Sequence, residues 1–289
     1  MTTTGSHAVQ DSSIHPVVAE KLAALGPGHP RLIELFNAVS AALKQVVREH
    51  HVTHEEYCQM VEFMFGVAGE GEMGLICDLI LEAAVVESDY AASAGTAFNA
   101  EGPYYIAGSP RLDVPCRMPM RPDEGGTPLL FTGGVSDTQG RPLAGARIEL
   151  WHSTHDGLYS NIDPEVPEWL LRGQFVADEQ GRFEVRTIRP EPYEISRHGP
   201  VGRMLHAMGR HRFRPAHLHL KVSHPGFRQL TTQIYFDADP YLDSDAANCV
   251  HRSLVIRLDG PSQAEAGSAY GFDAPFLTGR YDLVLQPAA

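Results

Sequence analysis

The first hundred residues carry apolar positions at helical spacing. The segment PRLIELFNAVSAALKQVV, which begins at Pro30, repeats them three or four positions apart, at Leu32, Leu35, Phe36, Val39, Leu43, Val46 and Val47. This period predicts a helix with one apolar face. A second helix is predicted for VTHEEYCQMVEFMFGVAG, where Thr53 and Glu56 form a capping box and glycines follow at 66 and 69. The segment MGLICDLILEAAVVESD continues the helical pattern.

From about residue 128 the apolar positions alternate with period two. The segments RIELWHS, RFEVRTI, HLHLKVS, TTQIYF and YDLVLQ follow this rule, and the glycine-containing turns DTQGRPLAG and DEQGR separate some of them. Short alternating strands with such turns predict an antiparallel β-sandwich. The glycine- and proline-rich segment NAEGPYYIAGSPRLDVP lies before them and is expected to be a loop. The predicted organisation is a tail at 1–29, a helical region at 30–100 and a β-sandwich at 101–289.

Charge and composition exclude several classes of partner. The 289 residues include 23 Lys and Arg against 36 Asp and Glu, so the formal net charge is −13. Such an acidic chain is a poor candidate for binding nucleic acid or an anionic membrane. Its start, MTTTGSHAVQDSSIHP, does not resemble a signal peptide, and no apolar run approaches the length of a membrane span. The four cysteines form no CxxC pair, so we expect reduced thiols and a cytoplasmic protein.

The segment RPAHLHLKV, residues 214–222, is the first candidate for chemistry. On a strand, residues two positions apart face the same way, so His217 and His219 present two imidazoles that one metal ion can bridge. Leu218 between them is expected to point into the core. The alternative is a pair of half-buried histidines on an edge strand.

A metal held by this pair needs further ligands, and no acidic residue stands close to it in the sequence. Tyr159 in HDGLYSN and Tyr193 in RPEPYEI lie in loops at the ends of predicted strands, where sites are commonly built. Tyrosine binds metals as phenolate, which requires a strong Lewis acid such as Fe(III). Zinc or Fe(II) more often takes carboxylate or cysteine. Alternatively, both are surface or corner tyrosines.

Longer stretches around these residues carry a family resemblance. EGPYYIAGSP, DGLYS, EPYEI and RHRFRPAHLHLKVSHPGFRQLTTQIYF together resemble the intradiol dioxygenases that open catechol rings. The branch is that of the catechol, chlorocatechol and hydroxyquinol 1,2-dioxygenases, and the resemblance runs from about residue 30 to the C-terminus. It implies an oxidoreductase of aromatic catabolism with one mononuclear non-haem Fe(III) per chain. The ligands that it implies are Tyr159, Tyr193, His217 and His219, of which Tyr193 and His219 are axial.

The same resemblance implies roles for residues around the iron. Arg214, three positions before the first histidine, is expected to stabilise negative charge that develops on the substrate. Gln233 in TTQIYF matches a glutamine of the family that lies on the side of the site where O2 reacts. Tyr193 matches the ligand that the substrate displaces. Together with Arg214, the substrate-binding residues that it implies are Leu75, Asp78, Gly102, Pro103, Tyr104 and Ile195.

Several alternatives stay open from the sequence. Chlorocatechol or catechol, cleaved to a cis,cis-muconate-type product, is the expected substrate. Hydroxyquinol, cleaved to maleylacetate, is the alternative, because Asp78 could bond an extra hydroxyl. In a different class, VSDTQGRPLAGARIEL also resembles non-catalytic β-sandwich binding modules. An Fe(II) extradiol enzyme would need two histidines and one carboxylate, and no acidic residue is placed to complete that set.

The expected partners are a small aromatic diol and O2. A homodimer through the N-terminal helices is also predicted, because their apolar faces exceed what one sandwich edge can cover and because the family dimerises there. The resemblance permits a lipid in that interface. No nucleic acid and no embedding in a membrane are expected.

Overall fold

The computed structural model describes residues 28–91 and 93–288. The predicted tail lies outside the described residues, except for its last two positions. The described residues fall into two compact units that divide between Glu62 and Phe63. The predicted division of the chain at residue 100 stays a prediction.

The first unit consists of helix α1 (Pro30–Glu49) and the start of helix α2 (His54–Gly69). The capping box is confirmed: Glu56 N donates to Thr53 Oγ1 at 3.2 Å, and Thr53 N donates to Glu56 Oε2 at 2.7 Å. The seven apolar positions of α1 are all exposed, with 45–69% of each residue's surface accessible. Within one chain, therefore, this apolar face is not buried.

A helical stretch from Met73 to Tyr90 follows in the second unit. It is built from α3 (Met73–Cys77), a π-helical turn (Asp78–Glu82) and α4 (Ala83–Tyr90). π-Helical turns are rare and often occur at functional sites. Asp78 and Glu82, at the two ends of this turn, both line the cavity described below. The sequence pattern predicted the helix but not the turn.

The β region confirms the expected sandwich and adds parallel pairs to it. One sheet has the order β1-β5-β2-β12-β11, with β13 also paired to β2, and the other has the order β10-β9-β8-β3-β4. The strands of the first sheet are β1 (Cys116–Arg117), β2 (Thr127–Asp137), β5 (Arg182–Arg189), β11 (Leu258–Ser262), β12 (Phe276–Arg280) and β13 (Leu283–Leu285). Those of the second are β3 (Arg147–Trp151), β4 (Arg172–Val176), β8 (His217–Ser223), β9 (Leu230–Phe236) and β10 (Val255–Ile256).

The pairs β2–β5 and β11–β12 in the first sheet and β3–β4, β3–β8 and β8–β9 in the second are antiparallel, as the sequence predicts. The parallel pairs are β1 with β5, β2 with β12 and β13, and β9 with β10. Side chains of both sheets form one core, in which Phe131, Ile148 and Leu218 have no more than 1% of their surface exposed. Two short elements complete the region: a two-stranded sheet of β6 (Tyr193–Glu194) and β7 (Phe213–Arg214), and helix α5 (Pro200–Ala207).

Two turns of related sequence connect strands of different sheets. In DTQGR, Asp137 accepts hydrogen bonds from the backbone of Gln139 and Arg141, and in DEQGR, Asp178 accepts from the corresponding positions. Each turn contains a glycine with positive φ, a conformation that side chains disfavour. The sequence predicted the turns, and the structure shows that they lead from one sheet to the other.

Candidate metal and substrate site

The site is built on one face of two neighbouring strands. β8 lies between β9 and β3, so His217 and His219 stand on a central strand and not on an edge. Register places Tyr235 opposite His217 and Gln233 opposite His219, so the four polar side chains share a face. Leu218 points the other way and is buried in the core, as predicted. The ring of Trp151, opposite His219 on β3, stacks on that histidine at 4.8 Å.

Tyr193 and Arg214 reach this face from the small sheet, where they are directly paired. Tyr159 comes from the loop between β3 and β4, which passes very close to Tyr193. A Cβ atom added to Gly157 would lie 2.8 Å from Tyr193 Cβ, and the φ of Gly157 is +79°. Only glycine suits both conditions, so Gly157 allows the two tyrosines to approach one another.

The structure brings the four predicted ligands together. The ring centroids of Tyr159 and Tyr193 are 5.4 Å apart, those of Tyr193 and His217 5.6 Å, and those of His217 and His219 4.6 Å. All four residues have 4% or less of their surface exposed. Their roles as metal ligands remain a prediction, which rests on the geometry and chemistry of this cluster.

The two imidazoles fit a shared metal. His217 Nε2 and His219 Nε2 are 3.0 Å apart, and two nitrogens bound to one metal at right angles, about 2.1 Å from it, would be separated by about the same distance. His217 Nδ1 lies 2.7 Å from the carbonyl oxygen of Pro215. Because a carbonyl only accepts hydrogen bonds, Nδ1 carries the hydrogen and the Nε2 lone pair is free. Burial, followed by the nearby charge of Arg214, lowers the pKa of His217 to about 3, which keeps it neutral.

The two phenols fit a strongly charged cation. Tyr159 Oη is buried and has no hydrogen-bond partner among the described residues. Burial, followed by the proximity of Tyr193, raises the pKa of Tyr159 well above 10. Burial also raises the pKa of Tyr193, although Arg214 opposes the shift. A bound trivalent cation such as Fe(III) would reverse this preference by stabilising the phenolates. No cluster of three or more His, Cys, Asp or Glu occurs among the described residues, so the phenols are needed to complete a ligand set.

A narrow cavity adjoins His219, Tyr193 and Arg214. All seven predicted substrate-binding residues line it: Leu75, Asp78, Gly102, Pro103, Tyr104, Ile195 and Arg214. Gln233 lies behind Arg214, where its Oε1 accepts from Arg214 Nη2 at 2.9 Å and its Nε2 donates to the carbonyl of Ala100 at 2.7 Å.

Sequence reasoning missed five residues of the cavity wall: Leu79, Glu82, Ala100, Ala247 and Cys249. Glu82 Oε1 accepts from Glu101 N at 3.0 Å, whereas its buried Oε2 has no partner among the described residues. Helical spacing could have found Glu82, because it lies four positions after Asp78 and therefore on the same face of a helix. Tyr235 was also missed, although strand alternation would have placed it beside Gln233.

Replacing Glu82 with glutamine is expected to make thermal stability less dependent on pH. Burial, followed by the neighbouring Asp78 carboxylate, raises the pKa of Glu82 above its ordinary 4.5. The folded state therefore binds this proton more tightly than the unfolded chain, so stability falls as pH rises from about 4.5 through the raised pKa. Melting temperatures at pH 4.5 and 7.5 test this. The melting temperature at pH 7.5 minus that at pH 4.5 should be larger in Glu82→Gln than in the wild type. The same quantity should be unchanged in the exposed control Glu87→Gln.

The histidines of HSTH, His152 and His155, take no part in the cluster. His152 Nδ1 lies 2.7 Å from the carbonyl oxygen of Ser153, and Nε2 lies 2.6 Å from Thr187 Oγ1. His155 Nδ1 faces Glu124 at 3.3 Å. Both nitrogens of the buried His152 are therefore occupied by the fold.

Comparison with known proteins identifies the class to which this fold and site belong. A family model described as "Dioxygenase" matches residues 100–287, and one described as "Catechol dioxygenase N terminus" matches residues 29–97. The chain is 42% identical to a chlorocatechol 1,2-dioxygenase of Rhodococcus opacus, over 79% of this chain and 90% of that protein. It is 34% identical to a hydroxyquinol 1,2-dioxygenase of a Rhizobium species, over 89% of each. The crystal structure of 3-chlorocatechol 1,2-dioxygenase from Rhodococcus opacus 1CP superposes with a TM-score of 0.82 at 36% identity, covering 89% of this chain and 99% of that one.

The chain belongs to the intradiol catechol-type dioxygenase family. It is an enzyme, a catechol-type 1,2-dioxygenase, and not a non-catalytic sandwich module. Family and fold class are thus as the sequence predicted. None of the helices in the described ranges is both long enough and apolar enough to cross a membrane.

Proposed function

We propose that this protein opens the ring of a chlorocatechol or of catechol between its two hydroxyl-bearing carbons, with O2 as second substrate and one Fe(III) per chain. One observation carries the proposal: two buried phenols and two buried imidazoles converge beside a narrow cavity. The product is a cis,cis-muconate-type diacid. Because the four donors are two neutral nitrogens and two phenolates, the set suits Fe(III) better than Fe(II) or zinc.

Tyr159, Tyr193, His217 and His219 would hold the iron. When bound, Fe(III) would hold and orient the catechol and would draw electron density from its ring, which prepares the ring to react with O2. The protein's part begins with the two tyrosines, which differ in position. Tyr193 lines the substrate cavity as well as a cavity on its far side, whereas Tyr159 lines only the latter. Tyr193 is therefore the ligand that an incoming diol can reach.

Proton transfer to Tyr193 follows from this arrangement. A catechol must lose its hydroxyl protons to bind as the dianion, and the phenolate oxygen of Tyr193 is positioned at the cavity to accept one. In the fold the neutral phenol is favoured by burial, which raises the pKa of Tyr193. Once displaced, Tyr193 is thus a competent proton acceptor and keeps the proton inside the site.

Arg214 and the apolar wall complete the site. Arg214 is the only positively charged residue among those lining the cavity, and its guanidinium can stabilise negative charge developing on the ring or on oxygen. Leu75, Leu79 and Ile195 present apolar surface to the same space. They exclude water, which strengthens the interaction of Arg214 with the substrate.

An optical spectrum with iron quantification tests the proposal. The purified protein is expected to contain about one iron per chain and to absorb visible light through phenolate-to-Fe(III) charge transfer, and the band should shift when catechol is added without O2. With O2, one catechol and one O2 should yield one muconate. A protein that stays colourless after iron reconstitution would refute the four-ligand assignment.

Substrate preference is predicted to follow the order of similarity among the relatives. Identity is 42% to the chlorocatechol enzyme and 34% to the hydroxyquinol enzyme, so kcat/KM for 4-chlorocatechol should exceed that for hydroxyquinol. Steady-state rates on the three diols measure this. Asp78 favours hydroxyquinol instead, because its half-buried carboxyl lines the cavity and could accept a hydrogen bond from a third hydroxyl on the ring. A lead of tenfold or more for hydroxyquinol would overturn the chlorocatechol assignment.

We also propose a homodimer through the N-terminal helices, with room for a lipid at the interface. The support is the apolar face of α1, whose large side chains are exposed in the single chain. Replacing Phe36 and Leu43, exposed at 69% and 62%, with glutamate is expected to convert the dimer to monomer, because buried charges without partners oppose association. Sedimentation at micromolar concentration measures the change. The control is the double variant Arg31→Glu with Lys44→Glu, which alters charge without removing apolar surface. A wild-type protein that is monomeric at this concentration would contradict the proposal.

The cysteines support the proposed cytoplasmic location. All four, Cys58, Cys77, Cys116 and Cys249, are free thiols in the structure. Burial raises the pKa of Cys249, which lines the substrate cavity, to about 11. It therefore contributes a neutral, weakly polar surface to the cavity, and not a thiolate.

A further inference from the structure

The hydrogen bonds of Arg214 divide its guanidinium into an occupied edge and a free one. Nε donates to Asp245 Oδ1 at 3.1 Å, and Nη2 to Asp245 Oδ2 at 3.1 Å. Nη2 also faces Gln233 Oε1 at 2.9 Å and Tyr235 Oη at 3.2 Å. The Nε and Nη2 hydrogens therefore have acceptors within the protein.

Nη1 is different. Its hydrogen-bond contact among the described residues is His217 Nε2, at 3.4 Å, and the side chain of Tyr193, another proposed ligand, also comes within hydrogen-bonding reach of the guanidinium. His217 Nε2 is a proposed metal ligand, and a lone pair bound to a metal cannot accept a hydrogen bond. Arg214 lines the substrate cavity, so the two Nη1 hydrogens are the ones left for substrate or for oxygen-centred charge.

Asp245 is the residue that fixes this orientation. Its two oxygens meet the Nε and Nη2 edge in the parallel, bidentate geometry that gives arginine–carboxylate pairs their directionality. Asp245 is itself held, because Oδ1 accepts from Ala247 N at 3.1 Å and Oδ2 from Cys249 N at 3.0 Å. Arg214 and Asp245 are 5% and 3% exposed, so solvent does not compete for either partner.

The charge state agrees with this geometry. Burial opposes ionisation of Asp245, yet the charge and hydrogen bonds of Arg214 outweigh it and lower the pKa of the carboxyl. A carboxylate therefore faces the guanidinium at neutral pH. Gln233 and Tyr235 cannot replace it, because each offers one neutral acceptor to Nη2 alone and they already bond each other at 2.6 Å.

We propose that Asp245 is the positioning residue of Arg214: it clamps Nε and Nη2 so that Nη1 is presented to the substrate cavity beside the metal site. The proposal rests on the proposed function, since it assigns a task within that reaction. Asp245 does not line the cavity, so it acts through Arg214 and not on the substrate.

A double-mutant cycle tests the proposal, using kcat per bound iron. Asp245→Asn keeps the shape but turns an NH2 group towards Nη2, so two donors face each other and the guanidinium must turn away. We expect kcat to fall about 30-fold with KM changed less than about 3-fold, and Arg214→Lys to lower kcat about 100-fold. If Asp245 acts through Arg214, the double variant should be within about 3-fold of Arg214→Lys alone.

The controls separate positioning from folding. Asp137→Asn removes another buried carboxylate that pairs with an arginine, Arg141, in a turn outside the cavity. It should lower the melting temperature and leave kcat per iron unchanged. If Asp245→Asn does not fold, Asp245→Glu enters the same cycle, because it keeps the charge but displaces the oxygens by one methylene and should lower kcat about tenfold, again without additivity.

Each outcome decides the matter. Effects that multiply in the double variant, or an unchanged kcat in Asp245→Asn, would reduce Asp245 to a structural residue and overturn the proposal. A wild-type protein without iron or ring-opening activity would instead reject the proposed function. Normal wild-type activity with an additive cycle would reject only the role of Asp245.

Discussion

His219→Gln is expected to lose iron and, with it, the visible band and all measurable ring opening. The two Nε2 atoms that would hold the metal are 3.0 Å apart, and removing one leaves a single imidazole with two phenols. Burial raises the pKa of both phenols, so without a tightly held cation they remain protonated and do not bind. Substitution of a residue that only hydrogen-bonds to a metal ligand lowers metal affinity by about 10- to 100-fold. Loss of the ligand itself should therefore lower the affinity by more than about 100-fold. Iron per chain after desalting, together with the spectrum, measures this.

His152→Gln is the matched control. His152 is as deeply buried as His219, at 1% and 2% exposure, and is the residue next to Trp151, which stacks on His219. Both of its ring nitrogens are occupied by Ser153 and Thr187. The control should lower the melting temperature and retain iron near one per chain. Retention of full iron by His219→Gln, with activity intact, would remove His219 from the ligand set.

Much of this site could be predicted from local sequence patterns. Alternation alone placed His217 and His219 on one face and Leu218 in the core, because the two sides of a strand are fixed by its period. The capping box at Thr53 is equally local, and it is present. Convergence of Tyr159 and Tyr193 with the histidines was not local. It depended on the family resemblance, since no spacing rule relates residues more than twenty positions apart.

The parts that sequence did not predict depend on tertiary contacts. The π-helical turn at Asp78–Glu82 interrupts a helical pattern that carries no signal for it. Asp245 lies in the acidic segment DADPYLDSD, from which no rule singles it out. Its partner Arg214 is 31 residues away. Parallel pairing of β12 and β13 with β2 likewise joins residues about 150 positions apart, and alternation does not distinguish parallel from antiparallel neighbours.

Tyr193→Phe is expected to retain iron at a reduced level but to lower kcat by about 100- to 10,000-fold. Phenylalanine keeps the ring that packs among Tyr104, Tyr159 and His217 and removes only the oxygen. That oxygen is the one phenolate at the substrate cavity, so its loss removes both a ligand and the acceptor of a substrate proton. General acid–base groups contribute rate factors of this size. Stopped-flow absorbance separates substrate binding from ring opening and so locates the deficit.

Comparison with Tyr159→Phe makes the test specific. Tyr159 does not line the substrate cavity, so its loss should weaken iron binding and the visible band without removing the proton acceptor. At saturating iron, Tyr159→Phe should therefore bind catechol faster than Tyr193→Phe. Tyr105→Phe serves as the control outside the site, since Tyr105 Oη donates to Glu149 at 3.0 Å, and it should keep the wild-type spectrum. Equal rates of catechol binding in Tyr159→Phe and Tyr193→Phe would mean that Tyr193 holds iron without accepting a proton. The reaction would then need another base. The half-buried Asp78 and Glu82 are the carboxyls on the cavity wall that could serve.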